Sequence, residues 1–223
     1  MTAHPLTPPI VAPSILSADF SRLSADLALV DPERDWVHCD VMDNHFVPNL
    51  TFGPILIDAV RKLSRGFIDV HLMIDEPVKL VPAFRKAGAD EITVHLEACE
   101  DVSATLAAVR ESGARVGLAL KPGTPLAAAE PHLADIDLLL IMTVEPGFGG
   151  QAFMSDMMPK VKEAREWRSQ HGARYVIEVD GGIAPDTAKI ARAAGAEVFV
   201  AGHAIYPQSN PQIALATLRD AVR

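Results

Sequence analysis

The chain of 223 residues has 49% hydrophobic and 22% charged residues, which is ordinary for a globular protein. Its formal net charge of −9 disfavours a duplex nucleic-acid partner but not a phosphorylated small molecule, since a local site can be positive in an acidic protein. The sequence has no apolar run of about 18 residues, the length that a membrane span requires. Its two cysteines form no CxxC motif, which fits a reducing compartment, so we predict a cytoplasmic protein.

Short β-branched, apolar runs alternate along the chain with longer amphipathic stretches. Residues 1–9 carry three prolines and no apolar run, and we predict a flexible N-terminal extension there. The predicted strands are residues 10–16, 36–40, 67–73, 91–95, 115–120, 138–143, 175–179 and 198–201. The helices predicted to follow them are residues 20–30, 54–63, 77–87, 102–112, 125–133, 157–171, 185–194 and 211–222.

The alternation predicts the fold class. Prolines begin many of the helical stretches, as first-turn positions favour, and glycines end four of them. Eight strand–helix units in about 220 residues predict an α/β fold of the (β/α)₈ TIM-barrel type, with residues 10–223 as a single domain. The alternative is an open doubly wound sheet, but the GxGxxG turn expected after its first strand is missing.

Residues capable of metal or proton chemistry fall at the strand ends, where such barrels place their active sites. His38 and Asp40 point to one side of the second strand while Cys39 points to the other, because side chains alternate. His71 lies on the third strand and Asp180 ends the seventh. Two imidazoles and two carboxylates suit Zn²⁺, Fe²⁺, Mn²⁺ or Co²⁺. Each residue alone is more often structural, but their shared position at one rim favours a site.

Glycine-rich turns follow the last three predicted strands. Backbone N–H groups of glycines approach an anion closely, and this barrel type commonly binds phosphate in its last loops. The turns concerned are residues 147–150, then Gly181 and Gly182, and finally Gly202. These glycines could form tight turns only, but their clustering favours a phosphate site.

Other residues near strand ends carry weaker signals. Ser14 ends the first strand, and Lys121 is better explained as structural or as an ion-pair partner than as a Schiff-base lysine. His95 is a strand-end candidate of lower rank. Met42, Met73 and Met142 are either core residues or an apolar lining beside a reactive intermediate.

Longer motifs resemble those of the ribulose-phosphate 3-epimerase family. They are APSILSADF at residues 12–20, HCDVMD at 38–43, HFVPN at 45–49, HLM at 71–73, MTVEPGFGGQ at 142–151, VDGGI at 179–183 and VAG at 200–202. The resemblance covers about residues 10–206. It implies a metal-dependent isomerase of the pentose phosphate pathway that interconverts D-ribulose 5-phosphate and D-xylulose 5-phosphate at C3, with one divalent metal ion and, as in many members, a homo-oligomeric state.

The resemblance also implies roles for particular residues. His38, Asp40, His71 and Asp180 match the metal ligands. Asp40 matches the proton acceptor and Asp180 the proton donor. The matching substrate-binding positions are Ser14, His71, Gly147, Phe148, Gly149, Gly150, Asp180, Gly181, Gly182, Gly202 and His203.

Two other functions remain open, and the sequence departs from the family's usual pattern at one position. The chain also resembles the D-allulose-6-phosphate 3-epimerases, and a catalytically silent barrel that binds a phosphosugar is a further alternative. The family usually has serine where this chain has His203, so the geometry of phosphate binding is open.

Overall fold

The computed structural model describes residues 7–223, and eight parallel strands form its centre. The strands are β1 (Ile10–Pro13), β2 (Trp36–Met42), β3 (Phe67–Met73), β4 (Glu91–His95), β5 (Arg115–Leu120), β6 (Leu138–Met142), β7 (Val176–Asp180) and β8 (Val198–Ala201). β1 pairs with β8, and the order then runs through the sheet to β2. Single parallel bridges, Val11 to Asp35 and Ser14 to His38, bring β1 beside β2. The predicted TIM barrel is therefore confirmed.

Helices cover the outside of the barrel. They are α1 (Leu23–Leu27), α2 (Pro54–Leu63), α3 (Val81–Ala87), α4 (Val102–Glu111), α5 (Met158–His171), α6 (Pro185–Ala194) and α7 (Pro211–Val222). Prolines occupy the first turn of α2, α5, α6 and α7, where their missing N–H has no helical partner. The division into an extension of residues 1–9 and a domain of residues 10–223 stays a prediction, since residues 1–6 lie outside the described range.

One predicted helix was wrong in type, and another is shorter than predicted. Residues 125–133 form two 3₁₀ helices, Leu126–Ala128 and Glu130–Asp135, because Pro131 has no N–H to donate within a continuous α-helix. Residues 20–30 form a 3₁₀ turn followed by the five-residue α1. There the buried Asp26 carboxylate accepts a hydrogen bond from the Asp19 N–H, and this local contact competes with regular helix.

The first predicted strand is also shorter than residues 10–16. It ends at Pro13, and Ile15–Ser17 form a 3₁₀ turn in which Ser14 Oγ accepts a hydrogen bond from the Leu16 N–H at 3.3 Å. The turn leaves the Ser14 hydroxyl at the rim of the barrel, beside β2.

Side-chain alternation divides the buried residues into two layers. Residues such as Leu72, Phe84 and Ile177 pack between the strands and the helices, and Cys39 belongs to this outer layer, as predicted. A smaller cluster that includes Leu140 fills the inside of the barrel. The interior residues of β2, β3 and β4 are different, because they are largely polar and charged.

Strand register places the polar interior residues in rows. Asp40 pairs with His71, His71 with Thr93, and Thr93 with Gly117. A Cβ atom on Gly117 would lie 2.0 Å from Thr93 Oγ1 and 2.9 Å from Thr93 Cα. The row that carries two of the predicted metal ligands is therefore packed without spare room.

Gly117→Ala is expected to lower the free energy of unfolding by about 3 kcal/mol, because the added methyl overpacks the barrel interior. Gly123→Ala is the matched control, since nothing lies within 4 Å of its added Cβ, and it should change stability by less than about 0.5 kcal/mol. Denaturant unfolding of the two metal-free variants measures the difference. Equal stability of the two variants would contradict the packing at this row.

Candidate active site

Four of the predicted site residues come together at the C-terminal rim of the barrel. Ligand atoms of His38, Asp40, His71 and Asp180 all lie within 4.8 Å of one another. His38 Nε2 is 3.2 Å from Asp40 Oδ1. His71 Nδ1 is 3.1 Å from the same oxygen and 3.8 Å from Asp180 Oδ2. β2, β3 and β7 thus bring two imidazoles and two carboxylates to one point.

This cluster fits a divalent metal ion. Two nitrogen and two oxygen donors form the mixed set that Zn²⁺ and Fe²⁺ accept. The two imidazoles are fully buried, whereas the Asp180 side chain is 16% exposed and faces the cavity above. The arrangement therefore suits a divalent metal site.

A second buried group lies beneath the cluster and holds His38 in place. His38 Nδ1 is 2.6 Å from Asp69 Oδ2 and 3.7 Å from Glu178 Oε1, and all three side chains are fully buried. An anionic partner at Nδ1 fixes the ring so that Nε2 faces Asp40, as metal-bound histidines require. The cluster is therefore oriented from behind by residues that never reach the cavity.

Sequence reasoning missed Asp69 and Glu178. Each lies two residues before a predicted site residue on the same strand, so its side chain points into the barrel as well. A charged residue in the middle of a buried parallel strand was the signal that could have identified them, since such strands are usually apolar.

The two carboxylates of the cluster differ in electrostatic environment. Burial raises the pKa of Asp40, but the charge of His38 and the hydrogen bond from His38 outweigh burial and hold the pKa well below its usual range. Burial raises the pKa of Asp180 to about 8, and the nearby Asp40 charge adds to the rise. A bound cation lowers both values, because it stabilises the ionised form of each carboxylate.

Ser14 touches the cluster directly. Its hydroxyl donates a 2.6 Å hydrogen bond to Asp40 Oδ2, the oxygen that neither histidine contacts. Asp40 therefore has one oxygen facing the imidazoles and one held by Ser14 at the cavity wall.

A cavity of about 730 Å³ opens over the cluster. Met42, Met73 and Met142 contribute to its lining, together with most of the predicted substrate-binding residues. These are Ser14, Gly147, Phe148, Gly149, Gly150, Asp180, Gly181, Gly182, Gly202 and His203. His71 is fully buried and does not line the cavity. The loops after β6, β7 and β8 thus form one wall beside the carboxylates.

The turn after β7 depends on glycine. Gly182 has φ of +65°, and a Cβ atom there would lie 2.4 Å from the Phe153 nitrogen. The chain after β6 therefore passes directly against this turn. A side chain at Gly182 would therefore push the two segments apart.

Lys121 does not reach the cluster. Its ammonium group lies 3.7 Å from the centroid of the Phe46 ring, over the ring face. This position agrees with the structural role expected from the sequence.

The fold and the cluster together define a class of protein, a TIM barrel with a His/Asp cluster suited to a divalent metal ion. The family model described as "Ribulose-phosphate 3 epimerase family" matches residues 10–206 of this chain. The chain belongs to this family.

Curated relatives agree along nearly the whole chain. A protein of Bacillus subtilis named ribulose-phosphate 3-epimerase is 46% identical, with 94% of this chain and 97% of the relative covered. A Synechocystis protein of the same name is 48% identical, with 96% and 94% covered.

Solved structures show the same fold at low sequence identity. KGPDC from Streptococcus mutans superposes with a TM-score of 0.71 at 19% identity, covering 97% of each chain. A 3-hexulose-6-phosphate synthase gives a TM-score of 0.67 at 23% identity, covering 96% of this chain and 99% of that chain. Among residues 7–223, no helix is long and apolar enough to cross a membrane.

Proposed function

We propose that this chain interconverts D-ribulose 5-phosphate and D-xylulose 5-phosphate by moving a proton at C3. The observation that carries the proposal is a pair of carboxylates, Asp40 and Asp180, that face one cavity from β2 and β7. β1 and β8 separate these two strands in the barrel, so the carboxylates approach a bound molecule from different sides. Epimerisation next to a ketone requires a base on one face of the carbon and an acid on the other.

The different surroundings of the two carboxylates support the direction of the first step, because Asp40 lies against two imidazoles and the Ser14 hydroxyl whereas Asp180 faces the cavity. Ionised Asp40 accepts the C3 proton of ribulose 5-phosphate, which leaves a cis-enediolate. Protonated Asp180 then donates its proton to the other face of C3 and gives xylulose 5-phosphate. The reverse reaction exchanges the two roles. Environments that separate two carboxylates in this way are typical of acid–base pairs.

His38, Asp40, His71 and Asp180 would hold the divalent ion. The ion supplies positive charge that stabilises negative charge developing on the substrate oxygens. Zn²⁺, Fe²⁺, Mn²⁺ and Co²⁺ all suit this donor set, and the choice among them stays open.

The wall of the loops after β6, β7 and β8 is the proposed phosphate site. Its glycines present backbone N–H groups, and Gly202 and His203 complete it after β8. His203 packs against Gly150, since its Nδ1 would lie 3.6 Å from a Cβ atom there. The imidazole of His203 is thus positioned to donate to a phosphate held by the loop after β6.

Turnover of ribulose 5-phosphate by the purified, metal-loaded protein tests the proposal, with metal content measured on the same sample. We expect turnover to require about one metal ion per chain. D-allulose 6-phosphate at equal concentration separates the two epimerase activities, and we expect the pentulose to react faster. Binding of ribulose 5-phosphate without any turnover would instead support the silent barrel. The cytoplasmic location and the homo-oligomeric state stay predictions.

His203→Ala is expected to raise KM for ribulose 5-phosphate about tenfold and to leave kcat within twofold. The imidazole donates a hydrogen bond to a charged group, and loss of such a bond costs about 1.5 kcal/mol or more. Steady-state kinetics measure both constants, with His203→Ser as the variant that restores a short hydroxyl donor. An unchanged KM in His203→Ala would mean that the imidazole does not contact the phosphate.

A further inference from the structure

Behind His71 lies a second imidazole that the proposed reaction does not use. His71 Nε2 is 2.9 Å from His95 Nε2, and both side chains are fully buried. His95 ends β4, and its ring packs against the Phe46 ring at a centroid distance of 4.9 Å. Two imidazole nitrogens at this distance share one hydrogen, so one ring donates and the other accepts.

The chain of contacts continues to Glu97. His95 Nδ1 lies 3.2 Å from Glu97 Oε2. The other carboxylate oxygen, Oε1, accepts hydrogen bonds from the Lys121 N–H at 2.8 Å and from the Thr124 hydroxyl. Burial raises the pKa of Glu97, but hydrogen bonds from His95, Thr124 and Lys121 outweigh it and lower the pKa to about 2. Glu97 is therefore an ionised acceptor at the end of this row of hydrogen bonds.

Because Glu97 is ionised, it sets which groups donate and which accept in the hydrogen bonds that link Glu97, His95 and His71. Because the Glu97 carboxylate cannot donate, the hydrogen between it and His95 belongs to His95 Nδ1. The Nε2 of neutral His95 is then an acceptor, and His71 Nε2 must carry the hydrogen that joins the two rings. The lone pair of His71 is consequently on Nδ1, which faces Asp40 and Asp180.

The reverse direction would place the lone pair of His95 Nδ1 against the Glu97 carboxylate. It would also put a hydrogen on His71 Nδ1, and a protonated nitrogen cannot bind a metal ion in the cluster. His38 shows why the two histidines need different partners. It presents Nε2 to the cluster and has Asp69 at Nδ1, whereas His71 presents Nδ1 and requires its partner at Nε2.

We infer that His95 and Glu97 are positioning residues that fix His71 in the Nε2–H tautomer and so hold its Nδ1 lone pair on the metal site. The inference rests on the proposed function only in that the metal site is the one used for epimerisation. Outer partners of metal-binding histidines commonly change metal affinity about 10- to 100-fold when they are replaced.

Glu97→Gln gives the sharpest test, because it preserves shape and reverses the direction. The amide oxygen must accept from the Lys121 N–H, so the amide NH₂ faces His95 Nδ1 and makes that nitrogen an acceptor. His95 then donates from Nε2, and the hydrogen of His71 moves to Nδ1. We expect long-range ¹H–¹⁵N NMR of the histidine rings in metal-free protein to show this tautomer change. Zn²⁺ affinity, measured by chelator competition, should fall at least tenfold.

His95→Leu removes the acceptor altogether and should weaken Zn²⁺ binding by a similar factor. Cys99→Ala is the matched control, since its Sγ contacts the His95 carbonyl oxygen at 3.2 Å and not the ring, and it should leave both readouts unchanged. If His95→Leu fails to fold, Glu97→Gln still tests the inference, because the Glu97 side chain is partly exposed and its replacement leaves the core intact.

The outcomes separate this inference from the proposed function. A Glu97→Gln protein with the wild-type His71 tautomer and Zn²⁺ affinity within twofold of wild type overturns the positioning role. A wild-type protein that binds Zn²⁺ in the expected tautomer but does not turn over ribulose 5-phosphate overturns the proposed activity alone. The positioning role is still supported in that case by the loss of affinity in Glu97→Gln.

Discussion

Asp180→Asn is expected to lower kcat for ribulose 5-phosphate about 10³-fold, within the range that a positioned general acid contributes. The fold should survive, because the amide resembles the protonated carboxyl that burial favours at this position. The thermal midpoint of the metal-free variant should therefore be at least that of the wild type. A coupled assay of xylulose 5-phosphate formation measures the loss.

Isotope exchange distinguishes loss of one acid from general damage. With Asp40 intact, Asp180→Asn should still exchange the C3 hydrogen of ribulose 5-phosphate with D₂O, but not that of xylulose 5-phosphate. Asp40→Asn should show the opposite pattern. Asp58→Asn is the control, since Asp58 lies on the outer face of α2 beside Lys62, and it should leave kcat within twofold. Near-native turnover in either site variant would falsify the two-carboxylate assignment.

Removal of the metal is expected to abolish turnover, and addition of a divalent ion should restore it. Negative charge that develops on the substrate would otherwise be left beside two carboxylates. Dialysis against a chelator, followed by titration with Zn²⁺, Mn²⁺, Fe²⁺ or Co²⁺, measures the loss and its recovery.

The metal affinity measured in this titration should depend on pH. Burial lowers the pKa of His38, but Asp40 and Asp69 outweigh it and raise the pKa well above its usual value in the metal-free chain. Metal binding must displace this proton, so the apparent affinity should fall as the pH falls. His71→Ala, treated identically, should not recover at the same metal concentration. Full turnover by rigorously metal-free protein would show that no metal is needed.

The rim of the barrel could be predicted from the sequence because its signals are local. His38 and Asp40 share a face by strand alternation, and the glycine-rich turns follow strands directly. Strand ends of a parallel barrel meet at one rim, so the positions of His71 and Asp180 followed from the fold alone.

The supporting contacts could not be predicted, because they depend on register between strands. Asp69 reaches His38 only because β2 and β3 pair at those two residues. Glu97 reaches His95 only through a 3₁₀ turn, Leu96–Ala98, that no hydrophobic period marks. The prediction of an α-helix at residues 125–133 was likewise wrong, since the apolar spacing there suits a 3₁₀ turn as well as an α-helix.

The polar interior beneath the cluster has a cost for the molecule as a whole. Burial raises the pKa of Glu178 well above its usual value, and Glu91 in the same interior is also raised, to about 8, with Arg115 as its ion-pair partner at 3.1 Å. Apolar side chains in these positions would often give a more stable barrel. Evolution of greater thermal stability is therefore constrained at the centre of this protein, where a tighter hydrophobic core would release the histidine that Asp69 and Glu178 hold. Stabilising changes should accumulate instead in the outer layer between strands and helices.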